Sequence, residues 1–250
     1  MLKTIASSLP APLQVEAYRY KLKLLDSDRF ERYHQLRHAP SETGYSLQAF
    51  DQYKCIYVHI PKCAGISVST SLFSSKAGGH LKIYDYELIF SRKEFREYFK
   101  FTFVRNPWGR LYSAYKFMKK GGRHAGDKMR AEKHISNYPD FKSFVENWVS
   151  RENIRTSTHF RPQSDYLLSC TGKNSIDFIG TFENLNRDFD HVKQHLGINA
   201  ELLSLNVTGA KSSPKKVDFR NHYTDRMRQI VADVYARDIE LLNYDYEPPT

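Results

Sequence analysis

Two apolar segments in this chain are each followed directly by a tight turn and then by a helical pattern. Residues 54–60 (KCIYVHI) and 99–104 (FKFTFV) are rich in β-branched and aromatic side chains, which is typical of strands buried in a parallel sheet. A strand followed by a helix, repeated along the chain, predicts an α/β fold. We expect a P-loop-like parallel β-sheet flanked by helices on both faces, with ligands bound beyond the carboxyl ends of the strands.

The remaining patterns indicate how the chain is organised. Residues 14–37 mix apolar and charged side chains and predict one or two surface helices. We therefore interpret residues 1–50 as an N-terminal helical lead-in and residues 51–250 as the functional domain. A third short strand is predicted over 176–180. Further helices are predicted over 66–74, 86–98, 107–120, 140–149, 183–196 and 224–242.

The turn after the first strand has the composition of an anion-binding loop, IPKCAGIS. Backbone N–H groups at a helix start point towards one spot, and Lys62 and Ser67 add an ammonium and a hydroxyl. A nucleoside triphosphatase loop, GxxxxGK[ST], carries its lysine after the second glycine, whereas Lys62 precedes Gly65 by three positions. The loop favours phosphate or sulfate over an ordinary magnesium–nucleotide complex. A plain strand-to-helix turn with an exposed lysine is the alternative.

The turn after the second strand combines an arginine with a favourable helix start. Asn106 is a good N-cap, and Pro107 suits the first helical position. Arg105 at the strand end can hold a phosphate through two parallel hydrogen bonds. Ser113 lies about two turns into the helix. The alternative interpretation is a well-capped helix that carries surface arginines.

The charge balance indicates an anionic partner. The chain has 38 Lys and Arg against 28 Asp and Glu, a formal net charge of +10. Residues 116–133 hold much of the excess, and their glycines favour a mobile solvated loop over an acceptor clamp. Nucleic acid is not the expected partner, because the chain has no helix-turn-helix signal, zinc-finger spacing or basic motif interleaved with aromatic residues.

The cysteines and the apolar segments indicate the kind of compartment. Cys55, Cys63 and Cys170 cannot all pair within the chain and form no CxxC motif, so neither a disulfide framework nor a zinc site is expected. No stretch approaches the ~18 consecutive apolar residues of a membrane span. We expect an intracellular chain without a transmembrane segment; its oligomeric state cannot be inferred.

Together and in this order, the two turns resemble the carbohydrate sulfotransferase family, the group of heparan-uronyl and chondroitin-type enzymes that use 3′-phosphoadenosine-5′-phosphosulfate (PAPS). In that family PKxxGxS is the 5′-phosphosulfate loop and VRNPxxRxxSxY binds the 3′-phosphate. The chain has PKCAGIS at 61–67 and VRNPWGRLYSAY at 104–115. Weaker likenesses follow at 158–163, 176–185 and 234–245, so the resemblance covers about residues 54–246.

The resemblance implies a PAPS-dependent sulfotransferase that needs no metal. The 5′-phosphosulfate would be held by Pro61, Lys62, Cys63, Ala64, Gly65, Ile66 and Ser67. Lys62 would also neutralise charge that grows on the bridging oxygen. Arg105 and Ser113 would bind the 3′-phosphate, which ATP lacks. Lys211 would close over the nucleotide together with the loop around it.

The acceptor hydroxyl needs a base, and histidine suits neutral pH. We expect His80 in this role, because it follows the loop helix where some members of the family carry the base. His159 is the second candidate, although a structural or acceptor-side role fits it better. His59 lies within the first strand and is expected to be buried.

The expected acceptor is a glycan, a glycolipid or another hydroxyl compound. The chain lacks the membrane anchor of the Golgi members, so we expect a cytoplasmic and bacterial enzyme. Two other classes stay open. A non-catalytic protein that binds polyanions or nucleic acid would explain the pI of 9.4. A P-loop nucleotide kinase would share the fold but lacks its Gly-Lys-Ser/Thr signature.

Overall fold

A computed structural model describes residues 9–203 and 218–247. Within this range the chain forms two compact units, each built from three segments. Unit 1 comprises residues 9–60, 64–103 and 165–203. Unit 2 comprises residues 61–63, 104–164 and 218–247.

Helices and strands alternate along the middle of the chain. The strands are β1 (Cys55–Val58), β2 (Phe99–Val104) and β3 (Phe178–Thr181). The helices are α1 (Ala11–Leu25), α2 (Ser27–His38), α3 (Gln48–Tyr53), α4 (Gly65–Phe73), α5 (Ile83–Ile89), α6 (Arg92–Glu97), α7 (Pro107–Lys119), α8 (Ala125–His134), α9 (Phe141–Asn147), α10 (Ser164–Leu167), α11 (Leu185–Leu196), α12 (Asp225–Val234) and α13 (Ala236–Leu242). Short 3₁₀ turns cover Asn153–Thr156, Phe182–Asn184 and Phe219–His222.

The sheet in unit 1 has the strand order β1-β2-β3. β1 runs parallel to β2, with Cys55 opposite Phe99 and Val58 opposite Thr102. Every residue of β1 is buried, and Thr102 Oγ1 donates a hydrogen bond to the Val58 carbonyl oxygen at 2.7 Å. Parallel neighbours need a crossover, and α4, α5 and α6 lie between these strands in sequence. The predicted α/β fold, with a parallel sheet flanked by helices, is confirmed.

The N-terminal helices α1 and α2 belong to unit 1. Leu22 and Tyr33 are buried there. Arg19 Nη2 donates to the carbonyl oxygens of Glu87 at 3.0 Å and Phe90 at 2.7 Å. These carbonyls lie at the C-terminal end of α5, where a cation satisfies open acceptors and the helix dipole. The domain boundary at residue 50 stays a prediction.

Aromatic side chains form the core of unit 2. Phe144 on α9 lies with its ring centroid 5.0 Å from that of Trp148 and 5.3 Å from that of Phe160. Trp108 on α7 and Tyr235 after α12 are buried in the same cluster. Burial of such large rings stabilises the unit through the hydrophobic effect. This core holds α7, which carries part of the candidate site.

The expectation of a mobile solvated loop over 116–133 is wrong. α7 extends to Lys119, and α8 begins at Ala125 and buries Asp127. The Asp127 carboxylate accepts the backbone N–H of Arg123 at 3.0 Å. A buried carboxylate must keep its donors in place, so it fixes the start of α8. The basic side chains of α8 itself, such as Lys128, remain exposed.

Two predicted helices are each divided in the structure. Residues 86–98 form parts of α5 and α6, because Ser91 and Glu94 make a capping box that starts a new helix. Residues 224–242 form α12 and α13, separated at Tyr235.

Among the residues that the structure describes, no helix combines the length and apolarity needed to cross a bilayer.

Candidate active site

The turn after β1 has a backbone conformation that residues with side chains rarely adopt. Lys62 has a φ of 71° and Ala64 a φ of 61°, both in the left-handed region. Ala64 is the N-cap of α4, which starts at Gly65. Left-handed residues beside a helix start can turn successive N–H groups into a concavity that binds anions. Strain of this kind costs about 1–3 kcal/mol per residue and clusters at functional sites.

His59 leaves room only for glycine at position 65. A Cβ on Gly65 would lie 1.8 Å from His59 Cδ2 and 2.0 Å from His59 Nε2. His59 is 3% exposed, as expected for a residue at the end of a buried strand. Because the imidazole covers Gly65, it shapes the first turn of α4. Ser67, in that same turn, is also buried.

Lys62 carries an ammonium group that is easier to deprotonate than usual. Burial, together with the nearby charges of Arg105 and Arg123, lowers the pKa of Lys62 to about 8. Its Nζ lies 4.2 Å from the ring centroid of Phe117, a favourable cation–π distance. Phe117 belongs to α7, and its ring thus gives the partly desolvated ammonium of Lys62 a defined position.

Arg105 lies against the start of the loop, so within unit 2 the structure brings residues 61–63 of the first motif next to the second motif. Arg105 Nη1 donates to the Lys62 carbonyl oxygen at 3.4 Å. Arg105 Nε lies 3.6 Å from the position of a Cβ on Gly109, in the first turn of α7. Ser113 follows Gly109 by one helical turn and is partly exposed. Arg105 therefore lies beside the face of α7 that carries Ser113.

Two buried side chains to which the sequence analysis assigns no role in the site hold these segments. The side-chain amide of Gln163 pairs with the backbone N–H and carbonyl oxygen of Arg105, at 2.9 Å and 2.8 Å. Its Oε1 also accepts the Cys63 thiol at 3.3 Å. Arg110 is 1% exposed, which contradicts the alternative interpretation of surface arginines on this helix, and donates to the Pro61 carbonyl oxygen at 3.4 Å.

His80 lies in unit 1 beside His59. Its Nδ1 is 3.1 Å from the His59 carbonyl oxygen, and the two rings meet edge to face at 4.5 Å. A carbonyl oxygen can only accept, so Nδ1 carries the hydrogen and the neutral ring has its lone pair on Nε2. Gly78 packs against Tyr86, and Gly79 packs against Tyr45. This packing fixes the backbone that precedes the exposed His80.

His159 lies in unit 2, in the neighbourhood of Lys62. Its ring centroid is 5.0 Å from that of Phe117, the ring that Lys62 also contacts. Nδ1 of His159 is 4.0 Å from Asp127 Oδ1. His159 is 8% exposed. A buried ring beside a carboxylate fits the structural interpretation and leaves His159 as the second candidate for the base.

Lys211 lies outside the described residues. Ile66 is partly exposed in the first turn of α4, and Pro61 and Cys63 are buried in unit 2. Within residues 9–203 and 218–247, no three His, Cys, Asp or Glu side chains are grouped so that they could hold a metal ion.

Comparisons with known proteins agree with the motifs. The sequence model described as "Sulfotransferase family" matches residues 46–245. The chain is 26% identical to carbohydrate sulfotransferase 14 of Danio rerio over 174 residues, which are 59% of this chain and 47% of that protein. It is 26% identical to human carbohydrate sulfotransferase 9 over 233 residues, 78% of this chain and 52% of that protein.

An uncharacterized protein of Archaeoglobus fulgidus is 31% identical over 127 residues, 50% of this chain and 90% of that protein. The chain spans about half the length of the two carbohydrate sulfotransferases. No solved structure matches it.

Proposed function

The chain belongs to the sulfotransferase family, and from this premise we propose that it transfers a sulfuryl group from PAPS to a hydroxyl of a carbohydrate or glycolipid. Membership of the family makes it a transferase. The donor and the acceptor are the proposed parts. The similarity to two carbohydrate sulfotransferases supports a glycan-type acceptor.

The contact between Arg105 and Lys62 is the observation that carries this proposal. PAPS has anionic groups at both ends, a 3′-phosphate and a 5′-phosphosulfate. A donor of this kind requires cations from the two motifs to lie near one another. Arg105 Nη1 is 3.4 Å from the Lys62 carbonyl oxygen, and the two charges are close enough that, in addition to burial, Arg105 lowers the pKa of Lys62, which supports a single ligand contacting both residues.

The residues present fit an anionic donor. Lys62 and Ala64 have left-handed backbones, a conformation that can turn successive N–H groups towards one anion. In the second motif, a Cβ on Gly109 would lie 3.0 Å from Phe219 Cδ1, so the glycine lets Phe219 pack against the first turn of α7, next to Arg105. Arg105 would bind the 3′-phosphate together with Ser113, while Lys62 and Ser67 would bind the opposite end.

When bound, PAPS would supply a sulfuryl group activated by its phosphate leaving group. The acceptor oxygen would form a bond to sulfur as the bond between sulfur and the 5′-phosphate oxygen breaks, and the electron pair of that bond would stay on the phosphate oxygen. Lys62 stabilises the charge on this oxygen. His80 Nε2 takes the hydroxyl proton, because its Nδ1 is committed to the His59 carbonyl oxygen. The loop and Arg105 contribute alignment.

Calorimetry followed by a transfer assay tests the proposal. We expect the product 3′-phosphoadenosine-5′-phosphate (PAP) to bind without metal and more tightly than Mg-ATP. We then expect labelled sulfate to pass from PAPS to at least one member of a panel of glycans, glycolipids and phenols. Preference for Mg-ATP would indicate a nucleotide kinase instead. Salt-sensitive DNA binding without PAP binding would indicate a non-catalytic polyanion-binding protein.

A further inference from the structure

The geometry points to Gln163 as a positioning residue that holds the two ligand-binding segments in register. Its side chain is fully buried in unit 2. The amide Oε1 accepts the Arg105 N–H at 2.9 Å, and Nε2 donates to the Arg105 carbonyl oxygen at 2.8 Å. These two bonds reproduce what a neighbouring strand would offer, at the point where β2 has ended.

Gln163 also reaches the loop after β1. Its Oε1 accepts the Cys63 thiol at 3.3 Å, so one oxygen serves both Cys63 and Arg105. Cys63 directly follows Lys62, so the two segments that carry the candidate ligand-binding side chains are tied to a single amide. A displacement of this amide would change the spacing between the two cationic groups.

The orientation of the Gln163 amide follows from its partners. The Arg105 N–H can only donate and the Arg105 carbonyl oxygen can only accept, so the two ends of the amide cannot be exchanged. A buried side chain that needs both a donor and an acceptor cannot be replaced by one that offers only acceptors.

Asp238 holds the backbone of Gln163 in place. The two carboxylate oxygens of Asp238 accept the backbone N–H groups of Gln163 at 2.7 Å and Ser164 at 2.8 Å. Asp238 is fully buried on α13. A rigid chain of hydrogen bonds thus leads from α13 through Gln163 to Cys63 and Arg105. Precise placement of binding groups usually depends on such supporting bonds.

This inference rests on the proposed function, because it describes how the donor site is assembled. Gln163→Glu offers a sharp test, since the introduced carboxyl has almost the same shape. Protonated, it can still donate to the Arg105 carbonyl oxygen; ionised, it places an acceptor against that oxygen. The Asp238 carboxylate, the Cys63 thiol and the Arg105 backbone contact Gln163 directly, and two further charged residues lie near the segment that precedes it, where Arg110 Nη2 donates to the Arg161 carbonyl oxygen at 2.6 Å.

The experiment measures PAP affinity by calorimetry from about pH 5.5 to about pH 8.5, the range in which a buried glutamate titrates. We expect the ratio of variant to wild-type Kd to rise by about tenfold or more across this range, since ionisation breaks the pairing with Arg105. PAP itself titrates in the same way in both measurements, so the ratio of the two Kd values cancels this effect. The control is Gln229→Glu, which makes the same change on an exposed part of α12 and is expected to give a constant ratio.

Amide hydrogen exchange gives a readout that does not need the ligand. In Gln163→Glu the Arg105 N–H should stay protected at every pH, because both forms of the carboxyl accept it, whereas in Gln163→Met its exchange should accelerate.

Gln163→Met should also weaken PAP binding about tenfold with no pH dependence of the Kd ratio, and it replaces Gln163→Glu if that variant fails to fold. A constant ratio in Gln163→Glu, or wild-type PAP affinity in Gln163→Met, overturns the inference. Failure of the wild type to bind PAP overturns the proposed function instead.

Discussion

The imidazole of His59 occupies the space that a side chain at Gly65 would need, with 1.8 Å between its Cδ2 and the position of the missing Cβ. In Gly65→Ala either the ring or the start of α4 must therefore move. We expect a loss of about 1–3 kcal/mol in the free energy of unfolding, as for other overpacked sites. PAP affinity should fall as well. Denaturant unfolding and calorimetry measure the two effects.

If the His59 ring causes the loss of stability in Gly65→Ala, removing the ring should restore part of that stability. In the double variant His59→Ala/Gly65→Ala the obstructing ring is gone, so stability should exceed that expected from adding the two single effects. Strict additivity would show that the ring is not the cause. Gly126→Ala is the matched control, because a Cβ there has only ordinary contacts, and it should be neutral or slightly stabilising.

The lowered pKa of Lys62 predicts how activity depends on pH. Lysine is charged below its pKa, and burial brings the pKa of Lys62 to about 8 in the free protein. The ammonium that we propose to stabilise the leaving oxygen is therefore lost as the pH rises through about 8. We expect kcat/KM, which reports the free enzyme, to fall on the alkaline side with an apparent pKa near this value.

Lys62→Arg separates this explanation from others. Arginine stays charged throughout, so the alkaline fall should disappear even if the absolute rate is lower. If the fall persists unchanged in this variant, another group is titrating. Phe117→Leu should shift the alkaline limb, because Lys62 Nζ lies 4.2 Å from the Phe117 ring centroid.

Short-range patterns predict the main features of the fold. β1 is a continuous apolar run, β2 is rich in aromatic and β-branched side chains, and α7 has a clear start, so the sequence alone places them within a few residues. The spacing of Ser91 and Glu94 is that of a capping box and indicates a new helix start within residues 86–98. The helical pattern continues through this point, however, and predicts a single helix. Asp127 could not be foreseen, since nothing local distinguishes a buried carboxylate from a solvated one.

The site was predictable to the extent that topology determines it. Neighbouring parallel strands end at the same edge of a sheet, so the residues that follow them, such as Lys62 and Arg105, are expected to lie close together. Gln163 is 58 residues from Arg105 and 75 residues from Asp238, and no periodicity or motif connects residues at such separations. Supporting residues of this kind become visible only in three dimensions.

His80→Ala should lower kcat while PAP affinity changes little. General-base catalysis contributes about 10²- to 10⁴-fold, and the hydrogen bond of Nδ1 to the His59 carbonyl oxygen leaves Nε2 as the basic nitrogen of the neutral ring. The acid limb of the pH–rate profile should disappear with the base. His191→Ala, at an exposed histidine on α11, is the control. A larger loss of kcat in His159→Ala, with the acid limb removed only in that variant, would transfer the role to His159.

Arg105→Ala should reduce affinity for PAP far more than affinity for adenosine 5′-phosphate, which lacks the 3′-phosphate. A charge-assisted hydrogen bond contributes about 1.5–3 kcal/mol, so we expect a loss of about 10- to 100-fold for PAP. The protein change and the ligand change form a double-mutant cycle, and only a direct contact makes them strongly non-additive. Arg151→Ala removes the same charge from an exposed part of unit 2 and should leave the ratio of the two affinities unchanged. Equal losses for both ligands in Arg105→Ala would mean that Arg105 shapes the loop through the Lys62 carbonyl oxygen without recognising the 3′-phosphate.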